Sequence, residues 1–185
     1  NTENNIQCKE QIGFKKKSRP SDHIFVLKSL IDTYNNEGKK LYACFVDFKK
    51  AFDSVWRTGL FYKLINMNMN KNILKLIKNM YDKTKTCLKL NNVTLKPLNL
   101  HRGVIQGCIL SPRIFNLFIN DIPEIFDNSC DPVKLGNIKI NCLMYADDLV
   151  IFSETETGLQ NSINRLYEYS MKWGLEINTP KTKVI

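Results

Sequence analysis

Apolar residues recur along this chain with two different periods, which divide it into helical and extended stretches. Ile24, Leu27, Leu30, Ile31 and Tyr34 follow helical spacing. They predict a helix capped by Ser21-Asp22 and stopped at Gly38. Residues 41–47 form a run of β-formers that ends on Asp47. Two further helices are predicted over about 57–67 and 70–82, with Leu60, Leu64 and Ile65, then Ile73, Leu74, Leu76, Ile77 and Met80, as their apolar positions. Segments 84–90 and 93–95, separated by Asn91-Asn92, read as a hairpin. After a glycine-containing loop at 103–107, Ser111 as N-cap with Pro112 at the first helical position opens a helix to about Phe126. Apolar runs 140–144 and 149–152 flank Tyr145-Ala146-Asp147-Asp148, which places a tight hairpin there. A helix over about 156–173 and a strand at 175–178 complete the pattern. The stretch before Pro20 is polar and reads as a loop or extended lead.

From Leu41 onward the order is strand, long helical insertion, strand-turn-strand, helix, strand. That is the order of a split β-α-β-β-α-β unit, an α+β fold with an antiparallel sheet. In this topology the strand ending at Asp47 can lie beside the hairpin carrying Asp147 and Asp148. Carboxylates are depleted in strands and costly to desolvate, so an acid pair bounded by apolar runs suggests a hard divalent cation. A solvated turn is the alternative for the pair alone, because Asp is a common turn residue. Asp47, at the end of a neighbouring apolar strand, shifts the balance. Three carboxylates converging from adjacent strands would form a cage for two ions about 3.5–4 Å apart, the arrangement used for in-line phosphoryl transfer. Neither ion needs a histidine, and the only two, His23 and His101, have no catalytic spacing with Cys, Ser or each other.

Four ordered motifs carry a family likeness. They are Phe45-Val46-Asp47-Phe48-Lys49-Lys50-Ala51-Phe52-Asp53-Ser54-Val55, Gly103-Val104-Ile105-Gln106-Gly107-Cys108-Ile109-Leu110-Ser111-Pro112, Tyr145-Ala146-Asp147-Asp148, and Trp173-Gly174-Leu175-Glu176-Ile177-Asn178 with Lys181-Thr182-Lys183. Together they resemble reverse transcriptases, nearest to the non-LTR (LINE-like) retrotransposon branch. Gly13-Phe14 through Asp22-His23-Ile24 resembles the preceding family motif, so the likeness covers nearly the whole chain. It implies a polymerase palm with part of the fingers, residues 1–40 as a fingers-side basic lead and helix and 41–185 mainly palm, with upstream fingers and a downstream thumb outside this segment. It implies magnesium-dependent addition of deoxynucleotides to a DNA primer on an RNA template, with manganese as a substitute.

By the same resemblance Asp47 and Asp147 bridge both metals, Asp148 is the third acid, and the Phe48 carbonyl is a supplementary ligand. Phe52 occupies the position where a ring under the incoming sugar excludes a 2′-hydroxyl; a core aromatic is the alternative. Gln106 and Gly107 match a loop that contacts nucleotide and template, or form a simple glycine-bounded turn. Ile105 stands where many members carry Arg or Pro. Lys181 matches a lysine proposed to protonate departing pyrophosphate, with a solvated chain end as the alternative. Asp53 reads as an N-cap for the following helix. Lys15, Lys16, Lys17 and Arg19 would grip template or nucleotide phosphates, or form a solvated surface run.

Composition agrees with a polyanionic partner. The 185 residues carry 27 Lys and Arg against 18 Asp and Glu, a net charge of +9, and 43% are hydrophobic. No apolar run approaches the roughly 20 residues that span a bilayer. Six cysteines lack any metal-ligand spacing, which argues against zinc and for reduced thiols inside the cell. Nucleus and cytoplasm are the expected compartments for an element that primes synthesis on chromosomal DNA. The chain begins on Asn1 and ends within the last motif, so both ends read as cut. Two other functions compete: a non-catalytic nucleic-acid-binding remnant of a decayed element, and an RNA-directed RNA polymerase, which Phe52 disfavours.

Overall fold

The computed structural model describes residues 7–185, apart from Leu88, Asn92 and Leu95. The chain enters along 10–12 and forms helix α1 (Pro20–Asn36), then β1 (Tyr42–Val46). A short α2 (Ala51–Ser54), α3 (Arg57–Asn66) and α4 (Lys71–Asp82) follow. Two small ladders come next: β2 (Lys85–Thr86) with β5 (Leu98–Asn99), and between them β3 (Lys89–Leu90) with β4 (Val93–Thr94). Helix α5 (Ser111–Phe118) leads through two 3₁₀ turns to a hairpin of β6 (Val133–Leu135) and β7 (Ile138–Ile140). The chain then runs through β8 (Cys142–Tyr145), β9 (Asp148–Ser153), α6 (Glu156–Trp173) and β10 (Lys183–Val184).

Strands β10, β1, β9 and β8 lie side by side in that order, every pair antiparallel. Side chains on successive strand residues point to opposite faces. On one face Cys44, Val46, Met144, Leu149 and Ile151 join Leu60, Leu64, Phe115, Phe118 and Leu166 in the principal core beneath α3, α5 and α6. On the other, Ala43, Phe45, Leu143, Val150 and Phe152 meet Leu30 and Tyr34 of α1 and Val133 of β6. Tyr34 fastens that second layer, donating its hydroxyl to Glu154 at 2.7 Å and accepting the Lys134 amide at 3.0 Å.

A cation crosses the first core. Lys63, 4% exposed, donates to Asp121 (2.6 Å), the Tyr169 hydroxyl (2.6 Å) and the Phe118 carbonyl (2.7 Å), with its ammonium 3.8 Å from the Trp173 ring centre. These partners supply the acceptors that a buried ammonium requires. Burial nevertheless pushes its pKa down to about 8, partly offset by the Asp121 bond.

Several sequence expectations are corrected. The lead before Pro20 is in part a sheet edge: Gln11 bridges Met144 in parallel, with Ile12 N–H donating to Met144 and Met144 N–H to Glu10. Helix α1 starts at Pro20, and Asp22 rather than Ser21 closes its end by accepting the Arg19 N–H at 2.8 Å. Ser111 is the first helical residue rather than a cap; its hydroxyl donates back to the Ile105 carbonyl at 2.5 Å. The helix it opens stops at Phe118 and resumes as a 3₁₀ turn over Ile122–Ile125, since Pro123 supplies no N–H to an α-helical ladder. Residues 175–178 make a single bridge, Ile177 to Phe48, while the edge strand is β10, beyond a tight turn in which Lys181 and Thr182 both donate to the Asn178 carbonyl. The hairpin expected over 84–95 has its β3–β4 ladder and extends outward to Asn99, with Leu88, Asn92 and Leu95 outside the described residues.

Candidate active site

Register brings the acids together. In the β1–β9 pair Val46 stands opposite Leu149, so the next step sets Asp47 opposite Asp148, with both on the face away from the principal core. Nothing separates the two strands. Tyr145 pairs with Asp148, which leaves Ala146 and Asp147 as the two turn residues. Asp47 and Asp147 line one cleft of about 800 Å³, and Asp148 lines an adjoining groove with Pro20, His23 and Tyr145.

Electrostatics report the same convergence. The Asp148 carboxyl is raised above the ordinary carboxylate range by desolvation first, then by the charges of Asp147 and Asp47. Carboxylates that repel one another at the ends of two strands are a set whose repulsion a hard cation would relieve, and oxygen donors are the ligands such cations take. Among the described residues, no three His, Cys, Asp or Glu side chains are drawn into a closed ligand cluster. Asp47 Oδ2 instead accepts the Asn178 side-chain amide at 2.7 Å and stands 4.0 Å from Lys181 Nζ. The donor chemistry fits a divalent ion.

Backbone pairing orients the Phe48 carbonyl. Asn178 N–H donates to Asp47 O at 2.7 Å and Lys49 N–H to Glu176 O at 2.7 Å, on either side of the Phe48–Ile177 bridge. In such a non-hydrogen-bonded pair the Phe48 carbonyl turns to the opposite edge, the side of the acid hairpin. The Phe48 ring is buried in the core, 4% exposed, so only its backbone is offered to the site.

The rest of the cleft is built by α2 and the loop before α5. Phe52 lines it half-buried, stacked on Phe115 with ring centres 4.7 Å apart and planes at 18°. Gly103 N–H donates to Val55 O and Val104 N–H to Phe52 O, laying the loop along α2. Gly103 has a left-handed φ of +83°, and a Cβ there would stand 3.0 Å from Asp53 O. Gln106 lines the same cleft and donates to Asp53 Oδ1 at 2.8 Å. Asp53 is therefore not an N-cap: it lies inside α2, whose N-cap is Lys50 in a left-handed conformation. Gly107, φ +80°, lies with Gln106 in a neighbouring groove beside Ser111 and Pro112.

Lys181 is exposed at the rim with Lys49, Lys50 and Arg102, so cations stand opposite the carboxylates. Lys49 is also ion-paired with Glu176. The exposed Lys16, Lys17 and Arg19 and half-buried Lys15 lie between Gly13, which abuts the acid turn, and Pro20, which shares the Asp148 groove. All six cysteines are unpaired. No helix among the described residues is long and apolar enough to cross a membrane.

Three site residues escaped sequence reasoning. Asn178 was legible only as a strand end, yet its amide holds Asp47. Arg102, one residue before Gly103, reaches the cleft that Ile105 left without a basic side chain. Gln11 lies fully buried under the acid turn, with Oε1 accepting from Ala146 N–H at 2.9 Å and Nε2 donating to Ala146 O at 3.0 Å. Its only sequence signal was an uncharged polar residue two places before Gly13.

Residues 1–185 match the family model described as reverse transcriptase (RNA-dependent DNA polymerase). The chain is 30% identical over 151 residues to the RNA-directed DNA polymerase from mobile element jockey of Drosophila funebris, covering 77% of this chain and 16% of that protein. It is 26% identical over 188 residues to the probable RNA-directed DNA polymerase from transposon BS of Drosophila melanogaster, covering 98% of this chain and 20% of that protein. It thus spans about a fifth or less of the length of these relatives. Among solved structures, telomerase from Candida tropicalis in complex with a TWJ fragment of telomeric RNA superposes with a TM-score of 0.71 at 14% identity, over 95% of this chain and 30% of that one. Telomerase from Candida albicans gives 0.70 at 18% identity over 90% and 30%. The shared fold is the α+β palm.

Proposed function

The chain belongs to the reverse transcriptase (RNA-dependent DNA polymerase) family, and from that premise we propose that it forms the catalytic palm of a non-LTR retrotransposon polymerase, adding deoxynucleotides to a DNA primer on an RNA template. The observation that carries this reading is the convergence of Asp47, Asp147 and Asp148 at the ends of adjacent strands, with Asp148 raised above its ordinary range by desolvation and then by the charges of the other two.

In this reading Asp47, Asp147, Asp148 and the Phe48 carbonyl would hold two magnesium ions, with manganese as a substitute. Those ions, when bound, acidify the primer 3′-hydroxyl and neutralise the triphosphate. The 3′-hydroxyl loses its proton to solvent as its oxygen bonds to the α-phosphorus and the α–β bridge breaks, releasing pyrophosphate. Lys181, beside Asp47 at the rim, gives its proton to the departing pyrophosphate. The Phe52 ring, fixed by Phe115, takes the space that a 2′-hydroxyl would need. Gln106, held by Asp53, contacts the nucleotide from the opposite wall, and Gly107 lets the backbone come close. Lys15, Lys16, Lys17 and Arg19 meet template or nucleotide phosphates as salt-sensitive point charges. By the family resemblance, fingers and thumb elsewhere in the parent polypeptide would complete the grip, and nucleus and cytoplasm are its expected compartments.

Primer extension decides the matter. The parent polypeptide is given an RNA template, a DNA primer, deoxynucleotides and Mg²⁺, beside its Asp147→Asn variant. Extension by the wild type alone supports the reading, and extension that persists in the variant refutes it. Salt-dependent RNA binding without extension by either protein favours the non-catalytic remnant.

A further inference from the structure

We propose that Gln11 is a positioning residue for the acid turn: its buried carboxamide fixes the backbone of Ala146 and thereby sets where the Asp147 carboxylate stands. This rests on the polymerase reading for its consequence, though not for its geometry. Ala146 sits at a left-handed φ of +54°, a conformation costly for any residue with a Cβ. Something must hold it there. Gln11 is 0% exposed, and its Oε1 accepts the Ala146 N–H (2.9 Å) together with the Gly13 N–H (2.8 Å), while Nε2 donates to the Ala146 carbonyl (3.0 Å).

Both polar groups of one turn residue are thus satisfied by one side chain. Two N–H groups face one end of the carboxamide and a carbonyl faces the other, so its orientation follows from its partners. Glu has no donor for the carbonyl, and Asn is one methylene shorter. Gln11 is itself anchored on both sides. Ile12 N–H donates to Met144 O at 3.0 Å, Met144 N–H to Glu10 O at 2.9 Å, and Asn116 of α5 donates to Gly13 O at 2.6 Å. The turn is therefore tied through Gln11 to β8 and to α5, and a shift at either end reaches Asp147, the next residue in the chain.

Three variants of the parent polypeptide test this: Gln11→Ala, Gln11→Glu, and Gln11→Ala combined with Ala146→Gly. Single-nucleotide incorporation on RNA is measured against Mg²⁺ concentration, and amide hydrogen exchange is followed over residues 143–150. Gln11→Ala and Gln11→Glu are expected to lower kcat about 10²-fold, the scale of a 1 Å misplacement, with dNTP KM within about twofold and a higher Mg²⁺ half-saturation. Exchange should quicken at the turn and stay unchanged in β1. Glycine adopts positive φ without penalty, so Ala146→Gly should recover about tenfold of the lost rate in the Gln11→Ala background.

Wild-type exchange at the turn in Gln11→Ala would overturn the proposal, as would a rate loss that Ala146→Gly leaves untouched while exchange rises through the whole sheet. A wild-type protein that extends no primer counts against the polymerase reading alone. In that case the exchange measurement still decides whether Gln11 holds the turn.

Discussion

Adding one methyl group at Gly13 tests how closely the acid turn is held. A Cβ on Gly13 would stand 2.3 Å from Ala146 N, 2.9 Å from Gln11 Oε1 and 3.1 Å from Ala146 Cα. Ordinary contact begins near 3.5 Å, so the backbones of residues 13 and 146 must part by about 1 Å. Overpacking of this kind costs about 1–3 kcal/mol of stability, and a 1 Å displacement of a catalytic group costs about 10²-fold in rate. Gly13→Ala should therefore lose activity out of proportion to its stability. The control is Gly38→Ala, where φ is +62° but nothing lies within 4 Å. That change costs about 1–2 kcal/mol of backbone strain and leaves the site in place. Single-turnover incorporation and thermal midpoints are measured for both in the parent polypeptide. Gly13→Ala at wild-type rate, or Gly38→Ala equally impaired, would refute the reasoning.

Phe52→Val should admit ribonucleotides at the cost of sugar selection, and unchanged discrimination between dNTPs and rNTPs would remove the gate assignment. Lys63→Ala leaves the Asp121 carboxylate without its cation, with only the Tyr169 hydroxyl still donating to it, and empties the space of the lysine stem, so it should destabilise by about 3–5 kcal/mol in denaturant unfolding, whereas Lys63→Met, which keeps the volume, should cost less. Lys63 also predicts a pH dependence. Its folded pKa, lowered to about 8, lies below its ordinary value, so the unfolded chain binds more protons between pH 8 and 10 and this group's contribution to stability rises with pH there. Buried thiols Cys8, Cys44 and Cys142, pushed up by desolvation, act in the opposite sense, so the comparison is wild type minus Lys63→Met. That difference should move in favour of wild type from pH 7.5 to 9.5, and a flat difference would show that Lys63 is not the source.

What could be read in advance depended on where each residue's partners lay. Helices α3, α4 and α6 followed from local periodicity, and Gly174 at φ +72° ends α6 where its sequence stops. The Asp47 strand and the acid hairpin were legible because β-formers end abruptly on carboxylates. Local rules misplaced Ser111 and Asp53, since each was assigned a neighbouring cap while its partner, Ile105 or Gln106, belongs to another loop segment. Residues 175–178 carry a strand-like pattern, yet the turn at Asn178 hands the sheet edge to β10. Gln11 and Asn178 were invisible for a stronger reason: their hydrogen bonds reach 135 and 131 residues along the chain, and no short-range periodicity encodes such a pairing.

In the proposed reading Asp47 and Asp147 share a pair of divalent ions. Anomalous scattering from Mn²⁺ in crystals of the parent polypeptide with primer, RNA template and a non-hydrolysable dNTP measures this directly. Two peaks about 3.5–4 Å apart, both within ligand distance of Asp47 and Asp147, are predicted. Manganese bound elsewhere, or carboxylates too far apart to contact one ion, would contradict the account.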